Sequence, residues 1–212
     1  RETPDGLLAE RFTQKQYARF AQLGDFFDSN ARSTAGVALR FVTAAEEIAI
    51  RYTLSRATHL ANGFDVWENG VFNAHIPAQA GEGRAVYRKR FPGTSEYCVS
   101  LPPPATVAIR DVDLGDYATV APYKTRFLFS GDSLTRSAYT SRPSVIFPGS
   151  VARQFDADHI NRGVGSTKYD LETLDDELRW IPDALFLEYG ANDLYQADYR
   201  IDGILRIARD YL

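Results

Sequence analysis

Three short apolar runs beyond residue 120, each passing straight into a glycine-bearing loop, constrain this chain more than any other feature. The runs are "RFLFS" (126–130), "HINRGV" (159–164) and "ALFLEYG" (184–190). Helical patterns lie between and after them. They are "SVIFPGSVARQF" (144–155), "YDLETLDDELRWI" (169–181) and "DYRIDGILRIARDYL" (198–212). In the second, Leu171, Leu174 and Leu178 fall at i, i+3 and i+7; in the third, Ile201, Leu205 and Ala208 share a face. Strands alternating with helices predict βαβ units, hence a parallel sheet with right-handed crossovers. In such a sheet, ligands meet the chain at the carboxyl ends of the strands. All three loops, "SGDS", "GVGST" and "YGANDLY", fall there.

Residues 1–120 have a different rhythm. "AGVALRFVT" (35–43) and "EIAIRYTL" (47–54) alternate apolar and polar residues, as half-buried strands do. In "FDVWENGVF", Asn69-Gly70 tolerates positive φ at both central positions and predicts a hairpin. "EYCVSL" and "TVAIRDVDL" add strands on either side of Pro102-Pro103-Pro104. Short strands with frequent turn signals predict an antiparallel β-sandwich over 1–120, ahead of an α/β unit over 121–212. The opening "LLAERFTQKQYARFAQL" leaves room for a helical turn.

At 44% hydrophobic and 13% aromatic, the chain can bury a core. A net charge of −4 with interspersed signs offers no electrostatic footprint for nucleic acid or an anionic membrane. No apolar run approaches the roughly 18 residues that span a bilayer. The first residues, "RETPDGLLAERF", lack the apolar stretch of a signal peptide. Cys98 is the only cysteine, so an intramolecular disulfide and a cysteine-based zinc site are excluded; it reads as a small buried residue on a strand.

Ser133 follows the first strand of the α/β unit, where a helix N-terminus should point backbone N–H groups toward an incoming oxyanion. A turn followed by an N-cap serine also accounts for Gly-Asp-Ser without any function. Gly163-Val164-Gly165-Ser166 hints at a dinucleotide fingerprint, but Lys168 stands where G-x-G-x-x-G needs glycine. The loop still allows close backbone approach to a ligand, or is merely a tight βα turn. Asn192 can donate its amide to a developing negative charge, or serve as a turn residue.

In this order the three loops resemble the blocks of the SGNH hydrolases, the GDSL esterase/lipase family. "FLFSGDSLTRS" resembles the first block and implies Ser133 as nucleophile. "NRGVGST" resembles the second, Asn-x-Gly-x-Gly-Gly, with Ser166 in place of the last glycine. "YGANDLY" resembles the third and implies Asn192 as a side-chain oxyanion donor. The implied oxyanion hole combines the Ser133 N–H, the N–H groups near Gly165 and Ser166, and the Asn192 amide. "SRPSVIFPGSVARQF" is similar to the Ser-Arg-Pro segment of one branch that carries an N-terminal Gly-x-Asp-Leu-Tyr-type β domain. Here "GFDVW" (63–67) occupies that motif, with Val66 and Trp67 for Leu and Tyr. Asp65 and Trp67 read as sandwich packing plus a turn, ahead of direct sugar binding. The implied fold is a jelly-roll-like antiparallel β-sandwich preceding an α/β SGNH (flavodoxin-like) parallel sheet domain, the latter incomplete.

A serine nucleophile needs a base, and that base needs an orienting partner. The family supplies both in a C-terminal D-x-x-H block, but no histidine follows Asn192. His59 and His75 read as loop or surface residues. "DADH" spells Asp156-x-x-His159, yet it precedes the second block and belongs at the amino end of the sheet, a strand's length from Ser133. The missing block, the unaccounted strands and the absence of methionine lead us to expect a truncated or processed chain. The expected partner is then a C-terminal segment or second polypeptide bearing Asp and His. The resemblance implies an esterase acting on short acyl esters of a small molecule or carbohydrate, acetyl foremost, without metal or organic cofactor. A degenerate SGNH protein that binds carbohydrate or serves assembly is the alternative, and acyl transfer is not separable from hydrolysis. The compartment stays open, with a secreted or periplasmic location compatible.

Overall fold

The computed structural model describes residues 1–55, 62–137, 140–174, 181–195 and 200–212. A short hairpin of β1 (Glu2–Thr3) and β2 (Gly6–Leu8) precedes helices α1 (Gln14–Leu23) and α2 (Asp25–Ala31). There follow β3 (Ala38–Thr43), β4 (Glu47–Ser55), β5 (Gly63–Glu68), β6 (Val71–Pro77) and β7 (Gly81–Arg88). The β-rich half closes with β8 (Ser95–Ser100), β9 (Thr106–Asp113) and β10 (Tyr117–Thr119). These strands build two five-stranded antiparallel sheets, ordered β1-β2-β9-β4-β7 and β10-β3-β8-β5-β6.

The alternating pattern explains what holds the sheets together. Ile50, Tyr52 and Leu54 of β4 and Val107 of β9 share one core with Phe64 and Val66 of β5 and Tyr97 and Val99 of β8. Each such side chain contributes about 1.5–3 kcal/mol when fully buried. The Asn69-Gly70 hairpin forms as expected, with φ of 52° and 76° joining β5 to β6. Glu68, just before the turn, is fully buried. Its carboxylate accepts from the hydroxyls of Tyr87 (2.7 Å), Ser95 (2.8 Å) and Tyr97 (3.3 Å), and from the N–H groups of Arg90 (3.0 Å) and Phe91 (3.3 Å). Burial alone would raise its pKa, but these donors hold it below the ordinary carboxylate value.

The second half comprises β11 (Thr125–Gly131), α3 (Ser133–Arg136), α4 (Phe147–Gln154), β12 (Ala157–Gly163), β13 (Ala184–Glu188), α5 (Ala191–Leu194) and α6 (Ile201–Tyr211). β11 lies between β12 and β13 and runs parallel to both, so the expected parallel sheet is present with order β12-β11-β13. Phe129 stacks on Phe186 at 4.4 Å between ring centroids, locking β11 to β13.

Several expectations change in detail. The helix over 144–155 is divided into a 3-10 turn at Pro143–Val145 and α4, because Ile146 is extended between them. Of the helix over 169–181, the structure describes a 3-10 turn at Leu171–Thr173; Leu178 lies outside the described residues. α6 forms, but Ile201 and Leu205 are 67% and 58% exposed. Its inward stripe is Ile204, Ile207, Ala208 and Tyr211, equally periodic, and chosen because Tyr211 packs edge-on against Tyr169 and Tyr189. Cys98 is half-buried on β8 rather than enclosed.

The opening segment holds two helices where a turn was expected. Thr13 and Gln16 form a capping box at the start of α1, a spacing readable in "TQKQ". Phe12, Tyr17, Phe20 and Ala31 pack with Val164, and Gln16 Nε2 donates to the Thr173 carbonyl at 2.8 Å. The helices thus rest on the parallel-sheet half, although they precede the antiparallel strands.

Asp65 is neither a turn residue nor simple sandwich packing. It lies on β5, fully buried, and accepts from Ser144 N–H (2.9 Å) and Ser144 Oγ (2.5 Å) across the junction of the two halves. His75, read as a loop or surface residue, sits on β6 with Nδ1 2.7 Å from the other Asp65 oxygen. Nearby, Arg142 stacks over Phe72 and Arg153 over Trp67.

Glu68→Gln places an amide among donors that need an acceptor. It is expected to lower stability by about 2–4 kcal/mol in urea unfolding, with secondary structure retained at zero denaturant.

Candidate active site

The apolar strand β11 ends at Gly131, and the chain turns at once into α3, whose first residue is Ser133. The N-cap is Asp132, not Ser133. Asp132 Oδ1 accepts the Leu134 N–H at 3.0 Å and lies 3.5 Å from Ser133 Oγ. A second acid closes the turn from β13. Glu188 Oε2 accepts from Thr135 Oγ1 (3.0 Å), Thr135 N–H (3.3 Å) and Asp132 N–H (3.4 Å). Asp132 and Glu188 thereby occupy the N–H groups flanking that of Ser133. The Ser133 side chain itself remains only half-buried.

Glu188 escapes sequence reasoning; a lone acid inside "ALFLEYG" is its only signal. Burial first, then the neighbouring Asp132 carboxylate, raises its pKa. Glu188 therefore resists ionisation beside Asp132.

Asn192, the second residue of α5, is drawn to the same turn. Its Nδ2 donates to Asp132 Oδ2 at 2.8 Å and to the Thr167 carbonyl at 3.0 Å. A carboxamide carries two N–H bonds, so both are committed. Any further acceptor would be reached only by releasing one of them.

The second loop lies over the end of β11. Val164 N–H donates to the Gly131 carbonyl at 3.1 Å, and Thr167 Oγ1 donates to the Val164 carbonyl at 2.7 Å. Gly165 is buried beside Asn30, while Ser166 is exposed with φ of +59°. Ser166 keeps the left-handed conformation natural to glycine, at a cost of about 1–2 kcal/mol for a residue with a Cβ. Asn161 fixes the approach to this loop: Nδ2 donates to the Thr135 carbonyl (2.8 Å) and Oδ1 accepts the Gly163 N–H (2.9 Å).

Two glycines permit this crowding. A Cβ on Gly131 would strike Thr135 Oγ1 and the Glu188 carbonyl; one on Gly163 would strike the backbone of Thr135 and Arg136. The structure thus joins Ser133 and Asn192 through Asp132, and joins the loop of Gly165 and Ser166 to both through Thr167. Among the described residues, no group of three His, Cys, Asp or Glu side chains is placed to hold a metal ion.

No protein-family model and no curated protein matches the chain. Solved structures do. A Bacteroides ovatus protein assigned as a GDSL-like lipase aligns over 98% of this chain and 69% of its own, at 18% identity and a TM-score of 0.74. The salicylyl-acyltransferase SsfX3 of a tetracycline biosynthetic pathway aligns over 100% of this chain and 66% of its own, at 17% identity and a TM-score of 0.80. A family two carbohydrate esterase from Clostridium thermocellum, in complex with cellohexaose, covers 84% of this chain and 66% of its own, at 13% identity and a TM-score of 0.67.

The chain has the SGNH/GDSL hydrolase fold. It spans about two thirds of the length of these solved chains.

Within this SGNH fold His159 stands apart from Ser133. His159 pairs with Phe127 on β11, four residues before Gly131, or about 13 Å along the strand. It is confined at the seam, and burial lowers its pKa to about 4, with Asp158 opposing and Arg153 reinforcing the shift. His75 is held by Asp65. His59 lies outside the described residues.

Gly163→Ala is expected to lower stability by about 1–3 kcal/mol through the clash with α3. Gly203→Ala, with open space around its Cβ position, should raise stability by about 0.5–1 kcal/mol. Paired thermal unfolding of the two variants checks this contrast. The lowered His159 pKa has a definite sign: the unfolded chain binds the extra proton between pH 6.5 and about 4. The contribution of neutral His159 is therefore complete above pH 6.5 and lost toward pH 4, amounting to at most about 3 kcal/mol. A stability profile against pH should flatten over this window in His159→Leu.

Proposed function

We propose that this chain supplies the nucleophile and oxyanion hole of a serine esterase that removes short acyl groups, acetyl foremost, from a carbohydrate. The observation that carries the reading is the 2.8 Å bond from Asn192 to Asp132, which draws the third loop onto the nucleophile turn. Ser133 Oγ attacks the ester carbonyl. The N–H of Ser133, the N–H groups of Gly165 and Ser166, and an Asn192 hydrogen released from Thr167 stabilise the oxyanion. The alcohol leaves, and water then frees the acyl group from Ser133. The Ser133 proton passes to a histidine oriented by an aspartate, both borne by a segment or second polypeptide outside these 212 residues. No metal or organic cofactor enters these steps.

The neighbours' names support parts of this reading. A carbohydrate esterase bound to cellohexaose supports a carbohydrate alcohol, and an acyltransferase supports an acyl-enzyme that can also pass its acyl group to an acceptor other than water. A second reading, a noncatalytic carbohydrate-binding or assembly module, is favoured by the two committed hydrogens of Asn192 and by Ser166 at the glycine position.

Fluorophosphonate labelling read by intact mass separates the two. A single adduct is expected, absent in Ser133→Ala and formed about 10²–10³-fold more slowly in Asn192→Ala. No adduct, even with the companion segment added, sinks the esterase reading. Full ester turnover by the 212-residue chain alone overturns the placement of the base outside it.

A further inference from the structure

At the opposite end of the parallel sheet from Ser133, two adjoining cavities run along the seam between the β10-β3-β8-β5-β6 sheet and the α/β half. One has a volume of about 110 Å³, the other, opening to solvent, about 990 Å³. Arg40, Cys98, Tyr123 and Arg153 line both. Trp67 borders the larger and His159 the smaller.

Three buried side-chain nitrogens on this seam have no hydrogen-bond partner among the described residues: Arg40 Nε, Trp67 Nε1 and His159 Nε2. Arg and Trp nitrogens can only donate, and a neutral histidine donates from whichever nitrogen carries its proton. A buried donor left unpaired is destabilising. Two certain donors, Arg40 Nε and Trp67 Nε1, on one seam select a ligand rich in acceptors.

Charge narrows the class. Arg153 makes no ion pair among the described residues, and its hydrogen bonds, to the Ser144 carbonyl and Ser150 Oγ, both run through Nη2. Arg40 pairs with Glu96 through Nη2 at 2.9 Å, which leaves Nε aside. The one acid in the smaller cavity, Asp158, accepts the backbone N–H of His159 at 2.8 Å. Both guanidiniums lie over aromatic rings, Arg40 over Tyr123 at 3.8 Å and Arg153 over Trp67 at 4.5 Å. Forks of N–H donors serve carboxylate and phosphate oxygens alike, but with Arg40 already paired to Glu96 the two arginines leave one uncompensated positive charge, which matches a singly charged carboxylate.

We propose that this seam binds a small organic carboxylate, its two oxygens facing Arg40, Arg153 and the Trp67 indole N–H, with its tail in the larger cavity. The site is independent of the Ser133 reading. Because the Asp65–Ser144 bonds cross the same junction and Ser144 also accepts from Arg153, occupancy ties the two halves of the chain together.

Acetate, inorganic phosphate and chloride at matched ionic strength provide the test, using the full chain labelled with ¹⁵N. The Trp67 indole resonance, assigned by Trp67→Phe, is expected to shift saturably with acetate and not with chloride. In Arg153→Gln and Arg40→Gln the midpoint should rise at least tenfold, each variant first checked for a dispersed spectrum. If Arg153→Gln does not fold, the Arg40→Gln result decides. No saturable shift means that water alone serves these donors and overturns the proposal. An equal response to chloride, or a response to phosphate only, overturns the carboxylate assignment.

Discussion

Arg11 is the interaction on which the loops around Ser133 depend. It is 5% exposed, and its guanidinium donates to the carbonyls of Asn30, Ala31, Ser33, Asn161 and Gly163 and to Ser33 Oγ. No carboxylate takes part in these bonds. Burial lowers its pKa to about 10, yet it remains charged at neutral pH and satisfies carbonyls at the end of α2 and along β12 that would otherwise be buried without donors. Asn161 and Gly163, held this way, are the residues that grip α3 from beneath. The position of the turn that carries Ser133 is therefore set in part by the stretch of chain just before α1.

The turn itself is a balance of two acids. Asp132 caps α3 and Glu188 braces it from the neighbouring strand; together they use the N–H groups on either side of Ser133. Asn192 is bound into this arrangement through Asp132. Asp132, which orders the turn, also holds one hydrogen of Asn192, and the Thr167 carbonyl holds the other. In the proposed esterase, the developing charge of the substrate would have to outbid the Thr167 carbonyl for an Asn192 hydrogen.

Much of this was legible in the sequence because it is local. The apolar runs and their glycine-ended loops gave the parallel sheet, and Asn69-Gly70 gave its hairpin. The capping box of α1 was equally visible in Thr13 and Gln16. What was hidden depends on distant partners. Asp65 and Ser144 are 79 residues apart, and nothing near either one reveals the bond. Glu188 gains its meaning only when β13 lies beside β11. On α6, two stripes fit a helical period equally well, and the tyrosine cluster at Tyr211 decides between them. Ser166 was legible as a departure from glycine; that it keeps a glycine-like backbone was not.

The reach of Arg11 has a consequence for how the protein is made. Its bonds to Asn161 and Gly163 close loops of about 150 residues, and contacts of that separation form late. During synthesis α1 and α2 emerge well before β12, with Phe12 and Phe20 exposed, and wait while both antiparallel sheets assemble. Only when β12 appears can the opening helices dock. The nascent chain thus carries an apolar segment through the synthesis of about 125 residues between α2 and β12, a window in which chaperone binding or misassociation competes with folding.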